Sequence, residues 1–256
     1  MKKKAFAFII FGVIFLSGCS VPHYYYSPNV QNVPLFNKGN EFSAQAAGSL
    51  GSVSTCFELQ AGYAFPFHLA GMASLMAGGN RSMEGSYEDY TKLKYFEGAL
   101  GFYQKIKESG VFELYIGYGE GSQHHKFTYE YFYSWEWVVE PDGLADISFS
   151  KIFIQPDIGY KTDNLEFGVS CRLTALNYKE IDMYSTVHHE EGLNLLRSNS
   201  TPWLVEPCLT IRAGSKSVKG QAQLTFIGNL TEPDLAFETC RISLGLYISL
   251  GKNNSE

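Results

Sequence analysis

Charge is scarce in this 256-residue sequence: Asp, Glu, Lys and Arg make up 18% of it, with 26 acids against 20 bases. Three of the lysines lie among the first 18 residues, which hold no acid, so the remainder is net −9. No basic stripe is present, and an acidic chain without one is a poor nucleic-acid binder. Past the N-terminus no segment sustains a 3.6-residue apolar period, so helices should be scarce. The N-terminal apolar run, Ala5–Leu16, is too short for a spanning helix, which needs about 20 residues. There is no Gly-x-Ser-x-Gly motif, and Gly117-Tyr118-Gly119-Glu120-Gly121 does not open a helix, so it is not read as a phosphate cradle. What remains is 45% hydrophobic, with 25 Gly, 17 Tyr and 19 Phe. That composition favours β-structure, and the length suits one large domain.

The N-terminus reads as an address. Lys2, Lys3 and Lys4 form a basic region ahead of the apolar run, the pattern of a secretory signal. Leu16-Ser17-Gly18-Cys19 then resembles the lipobox of bacterial lipoproteins. That resemblance implies cleavage before Cys19, a diacylglycerol on its thiol and an acyl chain such as palmitate on its new amine. Several chains exceed the two membrane signals that stable anchoring needs. Ser20 follows where Asp would favour inner-membrane retention, so the outer membrane is expected. The organisation that follows is a signal peptide at 1–18, a lipidated extended tether at 19–39, a barrel domain at 40–251 and a tail at 252–256. Whether the tether lies inside or outside the barrel is left open.

From Glu41 onward the period is two. Phe57, Leu59, Ala61 and Tyr63 alternate with Glu58, Gln60 and Gly62; Leu165, Phe167, Val169, Cys171 and Leu173 with Glu166, Gly168, Ser170, Arg172 and Thr174. Ten strands are expected, at about 41–50, 55–65, 68–78, 92–104, 111–119, 147–160, 164–176, 202–213, 217–227 and 238–250. Short connections alternate with long ones at about 79–91, 120–146, 177–201 and 228–237. This alternation fits short periplasmic turns and long extracellular loops, with both chain ends periplasmic. The polar face is rich in small hydrogen-bonding residues, with Glu58, Glu97, Glu113, Asp157, Glu166 and Glu206 nearly balanced by Lys151, Arg172, Arg212, Lys219 and Arg241. Such a face suits a narrow interior where charges must pair. The expected fold is therefore all-β, an antiparallel up-and-down transmembrane β-barrel of about ten strands.

Ser243-Leu244-Gly245-Leu246-Tyr247-Ile248-Ser249-Leu250 resembles the β-signal read by the outer-membrane barrel assembly machinery, although Leu250 replaces the usual terminal aromatic. Pro34-Leu35-Phe36-Asn37-Lys38-Gly39-Asn40-Glu41, Glu58-Leu59-Gln60-Ala61-Gly62-Tyr63-Ala64 and His68 resemble an uncharacterised family of Bacteroidota outer-membrane β-barrel lipoproteins. That resemblance implies architecture and brings no site residue.

Four cysteines remain, Cys56, Cys171, Cys208 and Cys240. Cys171 and Cys208 fall on opposite strand faces and cannot bridge, so the four are read as small, mostly buried thiols. His124, His125, His188 and His189 would suit Zn²⁺ or Cu²⁺ if two loop tips met, but their spacing matches no structural-zinc pattern. Asp146 and Asp182 with His188 and His189 would supply an acid/base pair to a rim-sited hydrolase, a protease or a lipid-modifying enzyme. A periplasmic lipocalin-like carrier of apolar ligands is the other alternative. From Phe127 to Trp137 the odd positions are aromatic. This is read as the fifth strand continuing past a Gly-rich shift of parity, with Glu140-Pro141-Asp142-Gly143 turning it back. Trp135 and Trp137 are then a membrane girdle or a stacking surface for sugar rings. Residues 120–146 carry six acids against Lys126, which favours a neutral glycan or a divalent cation over phosphates. The leading expectation is a non-enzymatic, structural or surface-interaction barrel lipoprotein of the outer membrane, with no cofactor.

Overall fold

The computed structural model describes residues 25–51, 54–84, 87–184, 190–231, 235 and 237–251. Residues 1–24, which include the expected signal peptide and Cys19, as well as His188, His189 and the tail after Gly251, lie outside this set. In chain order the elements are β1 (Glu41–Gly51), β2 (Thr55–Ala64), β3 (Leu69–Glu84), β4 (Tyr87–Ile106), β5 (Gly110–Tyr133), β6 (Glu136–Lys161), β7 (Leu165–Tyr184), helix α1 (Glu190–Ser198), β8 (Trp203–Gly214), β9 (Val218–Phe226), the two-residue β10 (Gly228–Asn229) and β11 (Cys240–Gly251). The ten long strands pair antiparallel in sequence order. β11 then returns to β1 through unbroken pairing from Glu41↔Gly251 to Gly51↔Arg241. The sheet is a closed ten-stranded barrel, with β10 adding two pairs to β8 at Leu204 and Val205.

The two ends differ. One carries tight turns between β2 and β3, β4 and β5, β6 and β7, and β8 and β9, together with the start of β1 and the end of β11. At the other end the wall rises unevenly. β5 and β6 are 24 and 26 residues long, against the roughly 9–11 that cross a bilayer, and their hairpin stands well clear of the rest. The expected long loops at 79–91 and 120–146 are therefore mostly strand. Glu140-Pro141-Asp142-Gly143 does not turn the chain. It lies inside β6, where the register slips from Phe127↔Gly143 to Thr128↔Pro141, the kind of irregularity that tolerates a proline in a sheet. The turn is at Ser134-Trp135, both with positive φ (49° and 68°), as a two-residue type I′ connection requires.

Nor do Gly117, Gly119 and Gly121 shift parity. They stay in register on the inner face, and their missing side chains leave room for Phe153, the Tyr95 hydroxyl and Phe149. Helix α1 falls in an expected loop, because nine residues are too few to show a period. It buries Leu193 and Leu196, three apart on one face, with Glu190 and Glu191 in its first turn and Arg197 in its last.

The wall is turned inside out relative to a water-soluble barrel. Phe57, Leu59, Leu75, Phe96, Leu100, Ile116, Ile152, Ile158, Leu165, Phe167, Leu244 and Leu246 are exposed, while all eleven charged residues expected inside are buried. The apolar stretch of β7 from Leu165 to Leu173 is nine residues long. At about 3.3 Å each and a tilt near 40° it covers roughly 23 Å, close to the roughly 25 Å apolar band of membrane barrels. Cys171 faces outward within this band, so it is not a buried thiol, whereas Cys56 and Cys208 are; all four described cysteines are free.

Candidate functional site

The interior is filled by the chain itself. Residues 25–36 run extended through the lumen, every one of them buried, before the turn at 38–40 leads into β1. A non-sheet strand in such a place must have its backbone N–H and C=O groups satisfied by something other than a ladder. The inward side chains do this. Glu58 accepts from Val30 N (2.7 Å), and Glu113 from Leu35 N (2.9 Å) and Phe36 N (2.7 Å). Gln60 donates to Val30 O (2.6 Å), Gln223 to Gln31 O (2.9 Å), Gln155 to Asn32 O (2.8 Å), Arg212 to Val33 O (2.6 Å), Tyr247 to Pro34 O (2.7 Å) and Lys161 to Leu35 O (2.9 Å). The polar face read from the sequence is thus a cradle for one extended peptide.

Around it lie several ionic groups, among them Arg241 with Glu238 (2.7 Å) and Lys161 with Glu41; two are larger. In the first, the Arg172 guanidinium meets both oxygens of Glu97 (3.1 and 3.2 Å), and Lys151 Nζ lies 3.1 Å from the same carboxylate. Asn29 of the lumenal segment joins them, donating to Glu97 and accepting from Arg172 and Lys151. In the second, Glu166 takes Arg212 (2.9 Å) and Lys219 (3.2 Å), while the Arg212 guanidinium stacks 3.7 Å from the Tyr247 ring centre. Registers pair Glu166 with Arg212 and Arg172 with Glu206 across β7 and β8. Only the first of these is a close pair; Arg172 is 3.9 Å from Glu206 and spends its fork on Glu97 across the lumen.

Above the ionic layer the lumen closes with an apolar cap. Tyr25 and Tyr26 pack with Phe149, Tyr178, Leu193 and Leu196 of α1, Leu235 and Phe237. This packing is the opposite of a carrier's empty apolar cavity. Outside the wall and just above the apolar band, Lys179 donates to Glu120 (2.7 Å), and this hydrogen bond holds the carboxyl below its usual range.

The candidate site residues come together only in part: His124, Asp146 and Asp182 line one pocket on the outer face, while His125 and Trp135 lie apart from it. His124 and His125 sit in β5 and not in a loop, so their side chains take opposite faces. His124 points out, with Nδ1 2.5 Å from Asp146 and Nε2 3.1 Å from the Tyr90 hydroxyl, which occupies the nitrogen a general base would use. His125 points in, held by Thr91 (2.9 Å) and Gln123 (3.0 Å). Asp182 is opposite Asp146 on β7. Among the described residues no three metal-ligating side chains come close enough together to hold a metal ion. Trp135 is 92% exposed at the tip of the β5–β6 hairpin. Seventeen residues separate it from Tyr118 at the band's edge, roughly 40 Å of tilted strand, so it is not part of a girdle. That role falls to Tyr63, Phe65, Phe67, Phe102 and Tyr160 at the short-turn end and Phe57, Phe96, Tyr118 and Trp203 at the other. Trp137 is the second residue of β6, opposite Phe132; its side chain lies outside the described set. The residues missed by sequence reasoning are those of 25–36, whose lack of any charged side chain was the available signal.

No protein-family model matches this sequence, and no curated protein does. Among solved structures, the chain is similar to the translocator domain of autotransporter NalP from Neisseria meningitidis, at 9% identity and TM-score 0.47, over 85% of this chain and 90% of that one. It is also similar to the KdgM porin, at 8% identity and TM-score 0.38 over 81% and 99%, and to the N-terminal β-barrel domain of Pseudomonas aeruginosa OprF, at 9% identity and TM-score 0.30 over 83% and 98%.

Proposed function

We propose that this protein is an outer-membrane β-barrel lipoprotein, acylated at Cys19, with a structural or surface-interaction role and no catalytic activity. The observation that carries the reading is the inverted wall: a continuous apolar exterior around a buried, ion-paired interior that its own N-terminal segment fills. An exterior of that kind is stable in lipid and a liability in water. A filled, capped lumen favours a scaffold over a pore. Ser243–Leu250 supplies the assembly-machinery signal on β11, the strand that closes the barrel. The interaction surface is the raised β5–β6 hairpin, which lifts Trp135 and Trp137 far from the bilayer. Its acidic character suits a neutral glycan or a divalent cation.

The test is membrane fractionation with a heat-modifiability gel. A folded membrane barrel stays in the pellet through carbonate extraction and migrates differently before and after boiling. Release by carbonate without detergent overturns the reading.

A further inference from the structure

We infer that the mature N-terminus leaves the barrel at the end of the long strands, so that the lipid on Cys19 is seated in the outer leaflet and the protein is anchored from the cell surface. This inference rests on the membrane-barrel and lipidation readings above and adds the side of the membrane. Both ends of the wall itself, Glu41 and Gly251, are at the short-turn end, which in membrane barrels is periplasmic. A lipid joined directly to β1 would therefore sit in the inner leaflet.

The lumenal segment reverses that expectation. Followed backward from β1, it meets the wall at successively higher levels. Leu35 O accepts from Lys161, in the end residue of β6, and Phe36 packs on Tyr103. Val33 O binds Arg212, and Gln31 binds Ser170 and Gln223. Asn29 binds Glu97 and Arg172, Tyr26 packs on Phe149, and the carbonyl of Tyr25 accepts from Tyr178 (3.1 Å) beside α1. The chain has crossed the whole apolar band by the time it reaches Tyr25.

Reach then decides the leaflet. Tyr178 lies five residues beyond Leu173, about 13 Å above the band on the tilted strand. Six residues separate Cys19 from Tyr25 and extend to at most roughly 20 Å. That length reaches back to the outer leaflet. It falls short of the inner leaflet, which is more than about 30 Å away through an occupied lumen.

The experiment places an epitope tag after Pro22 in one full-length protein and after Glu256 in another, and probes intact and permeabilised cells with antibody. Expected is an N-terminal tag bound on intact cells and a C-terminal tag bound only after permeabilisation. As an independent readout, the Pro22→Cys variant should react with a membrane-impermeant maleimide on intact cells above the level of the parent protein. An N-terminal tag and an introduced thiol both hidden until permeabilisation, in a protein that is still heat-modifiable, overturn the threading while leaving the barrel reading intact. Loss of heat-modifiability in the untagged protein overturns both.

Discussion

Arg172 on β7 and Glu97 on β4, three strands apart around the wall, meet fork to fork across the lumen at 3.1 and 3.2 Å. Both are fully enclosed, so removing the guanidinium leaves a carboxylate that water cannot reach. Breaking a buried pair typically costs about 3–5 kcal/mol. Lys151 and Asn29 still reach Glu97, so Arg172→Met should fall near the lower limit, about 3 kcal/mol. The midpoint of urea unfolding, read as loss of the fast-migrating folded band, checks this. Adding Glu97→Gln should recover part of the loss. An unchanged midpoint in the single variant would show that the pair contributes nothing.

Glu113 accepts two backbone N–H groups, Leu35 and Phe36. Hydrogen bonds to a charged acceptor are worth about 1.5–3 kcal/mol each, and Glu113→Ala leaves these two donors and the Tyr115 hydroxyl buried without it. The variant should lose at least about 2 kcal/mol and expose the lumenal segment to protease at a site between residues 25 and 37. Limited proteolysis with mass spectrometry of the fragments reads this out; resistance equal to wild type would count against the cradle.

Because residues 25–36 occupy the lumen and aromatics cap it, the wild-type protein should pass no steady ionic current in a planar bilayer. Discrete, long-lived open states from purified, lipidated protein would contradict a filled interior.

In the proposed lipobox the only lipidation nucleophile is the Cys19 thiol. Cys19→Ala should abolish labelling by a fatty-acid probe. The barrel, whose described contacts with the lumenal segment run from Tyr25 to Phe36, should remain heat-modifiable. Labelling that persists in the variant would move the acyl group elsewhere.

Trp135→Ala combined with Trp137→Ala should leave membrane insertion unchanged, since the hairpin tip is roughly 40 Å above the apolar band. Binding to a glycan array, if present in the wild type, should disappear. Failure of the double variant to insert would restore the girdle role.

The wall was readable because strand periodicity is short-range physics. Leu165 and Leu173 on one face and Glu166 and Arg172 on the other need no knowledge of the rest of the fold. Strand ends on the tall side were not, because above the bilayer outward residues such as Lys94, Glu120 and Lys179 turn polar and the two-face contrast fades. Pro141-Asp142-Gly143 carries turn chemistry, yet pairing of the flanking residues with β5 absorbs it as a bulge. Trp135 has positive φ, a conformation that Gly and Asn adopt more readily, so its turn left no compositional mark. The lumenal segment is enclosed on all sides, and full enclosure removes the alternation that a half-buried strand displays. Its Asn and Gln side chains resembled a solvated linker, while the absence of any charge between Tyr25 and Phe36 pointed the other way.

The seam between β1 and β11 has a consequence for the order of assembly. The lumenal segment is continuous with β1, one of the two strands that complete the ring, so the ring must zip shut around a chain already lying inside it. With the acylation proposed for Cys19, threading that end through a finished, side-chain-packed lumen would require dragging hydrocarbon past Arg172 and Arg212. Closure of β1 on β11 is therefore expected as the last event of folding. Purified protein refolded from urea into detergent should form most of its wall early and complete the β1–β11 ladder in a distinct slow phase. Removing residues 20–36 should abolish that phase, and the seam is where an assembly factor would act.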